Sequence, residues 1–199
     1  MNWQTPFAAE LNNSGCQLRL MRQEDRAALE ELVFKPGIWD HFVTRVDTPV
    51  DLDTLIRTAL DDIAAGRRAV YVVIDKRSGH IAGSMCYGNM APADRRLEIG
   101  WSWLAPQFHG SGLNGWAKHA LLEQAFEHMG AERVEFKTDV LNLRARQALR
   151  KIGATEEGVL RSFNYMPGGR RRDAIYYSVL RSEWPSVSAR LNETLREPA

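Results

Sequence analysis

The sequence predicts a mixed α/β domain on a mostly antiparallel sheet of about six or seven strands flanked by helices. Three stretches predict it. "RRLEIGWSWLA" (95–105) alternates as a strand does, with Leu97, Ile99, Trp101 and Trp103 on one face and Glu98, Gly100 and Ser102 on the other. Ahead of it, "RAVYVVIDK" and "HIAGSMCYG", joined at the turn "KRSG", read as a hairpin. Behind it, Leu113, Trp116, Ala117, Ala120, Leu121 and Ala125 recur at helical spacing, so a helix reaching about Met129 crosses over to the next strand.

The remaining elements follow in order. A short strand at 17–21 precedes a helix at 24–33, with Asp25 near its start. The stretch 34–49 holds two prolines and a glycine and is expected to be irregular, yet it carries Trp39, His41 and Phe42. A second helix spans 51–66 and ends at Gly66, a suitable C-terminal cap. After the crossover, "AERVEFKTD" (131–139) is a strand and "NLRARQALRKIGA" (142–154) a short basic helix closed by Gly153. "TEEGVLRSFNY" (155–165) and "RRDAIYYSVL" (171–180) are two strands joined by "MPGGR", and Glu183-Trp184-Pro185 starts a last helix. The order is β-α-α-β-β-β-α-β-α-β-β. One domain is expected over 1–199, with its core at about 17–185 and a short extension at each end.

The bulk numbers exclude several classes. A chain of 199 residues, 44% hydrophobic, buries a core without staples. A net charge of +1 weighs against nucleic-acid and membrane partners. The N-terminus lacks the basic-then-apolar pattern of a secretion signal, and no run approaches the ~18 apolar residues of a membrane helix. The two cysteines, Cys16 and Cys86, suit a reduced, cytoplasmic setting. None of the five histidines (His41, His80, His109, His119, His128) stands at ligand spacing with cysteines or carboxylates, so no metal site is expected.

The segment 110–115 reads G-x-G-x-x-G. A glycine turn ahead of a helix points backbone N–H groups at the positive end of the helix dipole, where a diphosphate fits. That physics does not choose between a dinucleotide and another diphosphate. Gly115 to Asp139 is close to the ~20-residue interval of a ribose-binding acid. Against a dinucleotide fold stand the four residues 106–109 between strand and glycines, the antiparallel strands before them, and too few elements after Asp139. No Walker G-x-x-x-x-G-K-[ST] occurs.

Gln107-Phe108-His109-Gly110-Ser111-Gly112 resembles Q/R-x-x-G-x-G/A, the acyl-CoA pyrophosphate loop of the GNAT acetyltransferases. Asn142, opening a helix that ends Lys151-Ile152-Gly153-Ala154, resembles the N-x-x-S/A…K-x-G-F/A segment of that family. "LEIGWSWL", "KTDVLNLRARQALRKIGATEEGVLR" and "RRDAIYYSVLRSEWP" resemble the branch of the ribosomal-protein N-terminal acetyltransferases, and the likeness runs from about Leu18 to Pro185. The resemblance implies the GNAT fold and an acetyl-CoA or other short acyl-CoA donor. The strand before the loop would splay from the next one. Trp103, Leu104 and Ala105 would offer backbone groups to pantetheine, and Gln107 to Leu113, with Phe108, His109, Gly110, Ser111 and Gly112, would hold the diphosphate. Asn142 would sit near the thioester, and Arg146, Arg150 or Lys151 could face the adenosine phosphates or form a solvated basic face. The branch has Thr-Glu where Gly115-Trp116 stands, leaving Asn114 and Lys118 to take over polar roles. It has serine where Ala145 stands.

Transfer from a thioester to an amine by direct attack needs no protein nucleophile, so Cys86 reads as a buried filler. The candidate bases are Glu98, on the polar face of the strand entering the loop, and Asp139, at the end of the neighbouring strand, which could instead cap the next helix. Tyr165, Tyr176 and Tyr177 are candidate acids or packing residues. Trp39, His41 and Phe42 should frame the acceptor entrance. Arg170-Arg171-Arg172 reads as a solvated turn beside Asp173, or as a binder of RNA or acidic peptide. The acceptor would be a small-molecule or peptide amine, in a monomer or homodimer. A non-catalytic acyl-CoA-binding regulator, which Ala145 favours, and a nicotinamide-dependent oxidoreductase are the alternatives.

Overall fold

A computed structural model describes residues 7–195; the first six residues, part of the N-terminus weighed above as a signal, lie outside them. Eight strands form one sheet: β1 (Glu10–Asn12), β2 (Cys16–Leu20), β3 (Ala69–Asp75), β4 (Ile81–Ala91), β5 (Arg96–Leu104), β6 (Arg133–Asp139), β7 (Thr155–Tyr165) and β8 (Arg171–Leu180). The order across the sheet is β1-β2-β3-β4-β5-β6-β8-β7. Only β5 and β6 pair in parallel. The doubly wound dinucleotide topology is thereby excluded. The strand beyond the expected seven is β1. It has three residues, too few for a periodic signal, and is tied to β2 by Asn13, whose Oδ1 accepts from the N–H groups of Gly15 and Cys16 at 3.1 and 3.0 Å.

Two apolar cores lie on opposite faces. Helices α1 (Arg26–Val33) and α2 (Pro49–Ala64) pack on β3, β4 and part of β5, burying Leu29, Leu52, Ile56, Val72 and Trp103. Helices α3 (Leu113–Glu123) and α5 (Trp184–Leu195) pack on the other face, with α4 (Leu143–Lys151) contributing Leu149. Helix α2 starts two residues before the expected Asp51. Pro49 occupies its first turn, and Thr48 and Asp51 cap each other, the Asp51 N–H donating to Thr48 Oγ1 and the Thr48 N–H to Asp51 Oδ2. The expected helix to Met129 is α3 followed by one π-helical turn, Gln124–His128.

The single-face reading of β5 needs correction. Leu97 and Ile99 share one face as expected, the face of the α3 core, but Trp103 lies in the opposite core, 5.6 Å from Trp39. Trp101, at φ 47°, is an extra residue in β5: Ser84 pairs with Trp103 while Cys86 pairs with Gly100. Such a bulge reverses every later side chain and bends the strand. Trp101 is left at the surface under the Arg68 guanidinium, 5.1 Å from its ring. Gly83 permits the close approach here, because a Cβ on it would lie 2.1 Å from the Trp103 carbonyl oxygen.

The bulge also opens the sheet. β5 and β6 pair only from Arg96↔Arg133 to Glu98↔Glu135, and beyond Glu98 they diverge. Gly115 and Trp116 have a packing reason. A Cβ on Gly115 would come within 2.8 Å of Leu195 in α5, and Trp116 fills the space beside Gly15.

Candidate active site

The divergence of β5 and β6 is the floor of a cavity of about 690 Å³. Its walls are Ile99 to Leu104 on one side and Phe136 to Thr138 on the other, with Asn142, Ala145 and Ala148 of α4 above. One end reaches the glycine turn and the other opens on the sheet face that α1 and α2 leave uncovered.

At the turn end, Gly110 and Gly112 have φ values of 77° and 83°, which L-residues rarely adopt. The N–H groups of Gly110, Ser111 and Gly112 have no protein acceptor among the described residues, and they stand at the N-terminus of α3. That is an anion site by geometry. His109 is pinned beside it. Arg144 donates to His109 Nδ1 at 3.2 Å, so the ring presents its Nε2–H to the Leu104 carbonyl at 2.9 Å. Two main-chain groups expected to await pantetheine are therefore engaged, since the Ala105 N–H also donates to Ala82 O at 2.8 Å.

In the middle, Lys118 reaches from α3 to donate to Ser102 Oγ at 2.7 Å, while the Ser102 hydroxyl donates to Gly100 O. Lys118 is 4% exposed and lies over the Phe136 ring. Burial pulls its pKa down to about 7.

At the open end, Glu98 is 4% exposed. Its Oε2 accepts from Asn89 Nδ2 at 2.7 Å and lies 3.4 Å from Lys137 Nζ. Lys137 stands over the rings of Phe163 and Tyr176. Glu98, Lys137, Tyr176 and Arg172 share one face of the sheet, because β5, β6 and β8 put Ile99, Phe136 and Tyr177 into the opposite core.

The cavity thus brings together Glu98, Trp103, Leu104, Phe108, His109, Gly110, Gly112, Asn114 and Asn142 with His41, Phe42 and Tyr165. Asn142 also caps α4, its Oδ1 accepting from the Ala145 N–H at 3.0 Å. Tyr165 is 67% exposed at the rim, under Arg171. The cavity does not include Ala105, Gln107, Ser111, Leu113, Arg146, Lys151, Trp39 or Asp139. Leu113 is core, Gln107 and Ser111 are exposed around the turn, and Lys151 is exposed on α4. Arg146 turns the other way, donating to Val140 O and Tyr177 Oη. Trp39 is a buried core residue whose Nε1 donates to Val33 O at 2.7 Å. Asp139 is fully buried. Burial opposes its ionisation, but Arg170 and the Leu141 N–H outweigh that and hold its pKa below the usual range. It does not cap α4 and is not among the lining residues, although its Oδ2 lies 4.0 Å from Nδ1 of His41, which is one of them.

Sequence reasoning did not single out Asn89, Lys137, Ser102 or Thr138. It read Arg172 as part of a solvated turn or of a run that binds RNA or acidic peptide, whereas the strand alternation of β8 puts Arg171 outside and Arg172 inside. Cys86 is buried in β4, and burial pushes its thiol up to about 12, which leaves it inert at neutral pH.

Residues 16–155 match the acetyltransferase (GNAT) domain family. Over 182 residues the chain is 30% identical to a Bacillus subtilis (strain 168) protein named "Putative ribosomal N-acetyltransferase YdaF", with 86% of this chain and 94% of that protein covered. The crystal structure of a "putative acetyltransferase from T. thermophilus" superposes with a TM-score of 0.86 at 31% identity, covering 96% of this chain and 99% of that one. Mycobacterium smegmatis RimJ, solved in complex with CoA-disulfide, shares the fold with a TM-score of 0.78 at 23% identity over 91% and 90% of the two chains.

Proposed function

The chain belongs to the acetyltransferase (GNAT) domain family, and on that premise we propose that it moves an acetyl group from acetyl-CoA to a primary amine of a peptide or small molecule by direct attack on the thioester. The observation that carries this reading is the opening of the sheet immediately after Glu98. It connects an anion-ready turn at one end with a carboxylate at the other.

Acetyl-CoA supplies the acetyl thioester. The N–H groups of Gly110 to Gly112 and the α3 N-terminus fit its diphosphate, which supports the donor assignment. The strand edges freed between β5 and β6 offer backbone groups to an extended pantetheine arm, and Asn142 lies at the same wall. The acceptor must be neutral to attack. Glu98 takes the proton of the incoming ammonium, directly or through one water, while Asn89 and Lys137 fix its carboxylate. Donors from the opened β5 edge stabilise the oxyanion. Lys118, with its pKa near neutrality and its position fixed by Ser102, returns a proton to the leaving thiolate. A polar wall at Ala145 is not needed for that step.

The test is thiol release from acetyl-CoA with a panel of peptide and small-molecule amines. Wild type releases thiol, and Glu98→Gln lowers kcat by about 100-fold or more while calorimetric affinity for acetyl-CoA stays the same. Tight coenzyme binding with no turnover across the panel would identify a non-catalytic binder. Binding of NAD in place of acetyl-CoA would overturn the assignment altogether.

A further inference from the structure

One buried guanidinium in the cavity has neither a hydrogen-bond partner nor an anion among the described residues. Arg172 is 7% exposed, and its guanidinium makes no hydrogen bond or ion pair among the described residues; Nε is fully buried without a partner. An unpaired buried charge is costly, and burial pulls the pKa of this guanidinium below its ordinary value. The carboxylates that it senses are committed elsewhere. Asp139 is held by Arg170 and the Leu141 N–H, and Glu98 by Asn89 and Lys137. Asp173, next in the chain, accepts from the Ser162 N–H at 2.6 Å. Along the whole cavity, Glu98 is the one lining carboxylate, against Lys118, Lys137, Arg144 and Arg172. Arg144 is engaged at the turn by His109. Arg172 lies on the face of Glu98 and Lys137, opposite the α3 core, and so at the acceptor end.

We infer that Arg172 reads an anionic group on the acceptor, so that the preferred substrate is a primary amine carrying a carboxylate within the same cavity. This rests on the acetyl-transfer reading of the site. Glu98 would meet the amine and Arg172 the carboxylate, with Lys137 between them. A guanidinium suits this task, because its planar fork matches a carboxylate bidentately and its hydration is weak enough to lose on burial. The carboxylate could belong to a free amino acid or to an acidic side chain near a peptide N-terminus.

Matched acceptor pairs separate these sources in a thiol-release assay: alanine against alaninamide, and Ala-Asp-amide against Ala-Asn-amide, with concentrations referred to the neutral amine. In wild type, the anionic member of at least one pair has a kcat/KM at least about tenfold higher than its neutral partner. That ratio falls to about one in Arg172→Gln and is intermediate in Arg172→Lys. Acetyl-CoA affinity by calorimetry serves as the folding control. A parallel titration of the coenzyme-loaded protein with N-acetyl-Ala-Asp-amide reads the anion site without turnover. Turnover that ignores the anion in wild type, or a preference retained in Arg172→Gln, overturns the inference and leaves acetyl transfer standing. No turnover with any amine, together with Arg172-dependent binding of the acetylated peptide, would remove acetyl transfer and keep the anion site. Loss of both turnover and binding overturns both.

Discussion

Lys118 is an ammonium carried by a core-facing helix into a cavity where its only hydrogen-bond partner among the described residues is a serine hydroxyl. Folding pulls its pKa from 10.5 to about 7 because burial disfavours the charged form. The sign of the stability effect follows. Between pH 7 and 10.5 the unfolded chain holds a proton that the folded chain has released, so stability rises with pH. A shift of that size corresponds to a cost of order 5 kcal/mol below pH 7. Other groups leave a clean window. His119, also lowered by burial from an ordinary value of 6.5, is mostly neutral in both states above pH 7 and adds only a small rise of the same sign. Cys16 and Cys86, both raised by burial to about 12 from an ordinary value of 9.0, act with the opposite sign from about pH 8 upward. The urea midpoint of wild type should therefore climb from pH 7 to 8. Lys118→Met keeps the length of the side chain and its contact with Phe136, so it should start from a higher midpoint and stay nearly flat across that window. A wild-type midpoint that does not move would mean that the ammonium finds solvent or an anion when folded.

The turn between β5 and α3 works through backbone shape. Gly110 and Gly112 adopt left-handed φ values, while a Cβ on Gly110 would meet nothing within 4 Å and one on Gly112 only Leu195 at 3.9 Å. Steric room is therefore not what demands glycine; the dihedral is. The double change Gly110→Ala with Gly112→Ala should leave the fold intact at a cost of about 1–2 kcal/mol per residue. If the turn relaxes to negative φ, its N–H groups leave the α3 axis, and calorimetric affinity for acetyl-CoA should drop at least tenfold. Unchanged affinity would show that the diphosphate is held elsewhere. This element was legible because its signal is local: glycines at fixed spacing ahead of a helical period. The same holds for seven of the eight strands and for Gly66 at the end of α2. What stayed hidden depends on the arrangement of elements. The Trp101 bulge leaves no mark in an alternating sequence, so the side assigned to Trp103 was wrong. Asn89 and Lys137 reach Glu98 from β4 and β6, and Arg172 of β8 lines the same cavity, only because these strands flank β5 in the order β4-β5-β6-β8. Glu98 could be singled out as a candidate because it stands on the polar face of the strand that enters the turn. Trp39 was misplaced because an aromatic in a Pro/Gly-rich stretch looks solvent-facing until a core is known to lie beneath it.

At the scale of the molecule, the sheet is two unequal plates. Strands β1 to β5 form one, and β6, β8 and β7 the other. The plates are joined by three parallel residue pairs at Arg96 to Glu98 and by α3, which spans them on one face. Beyond Glu98 each plate has an unpaired edge toward the other, and the coenzyme is proposed to lie along both. A ligand bridging such a seam binds only the folded state, and at about 100 times its Kd it stabilises by roughly 2.7 kcal/mol. For a chain of this size that corresponds to a rise in Tm of about 5–10 °C. The slowest amide exchange gained on binding should map to Ile99 to Leu104 and Phe136 to Asp139, on both sides of the seam. NAD at the same concentration should leave Tm unchanged, because an antiparallel-flanked opening offers no crevice for a second nucleotide half. The glycine double variant supplies an internal check. A tenfold loss of affinity must shrink the stabilisation at equal ligand concentration by about 1.4 kcal/mol, or roughly half the shift. A coenzyme-induced rise in Tm that is the same in both proteins, or protection confined to one plate, would place the ligand outside the seam.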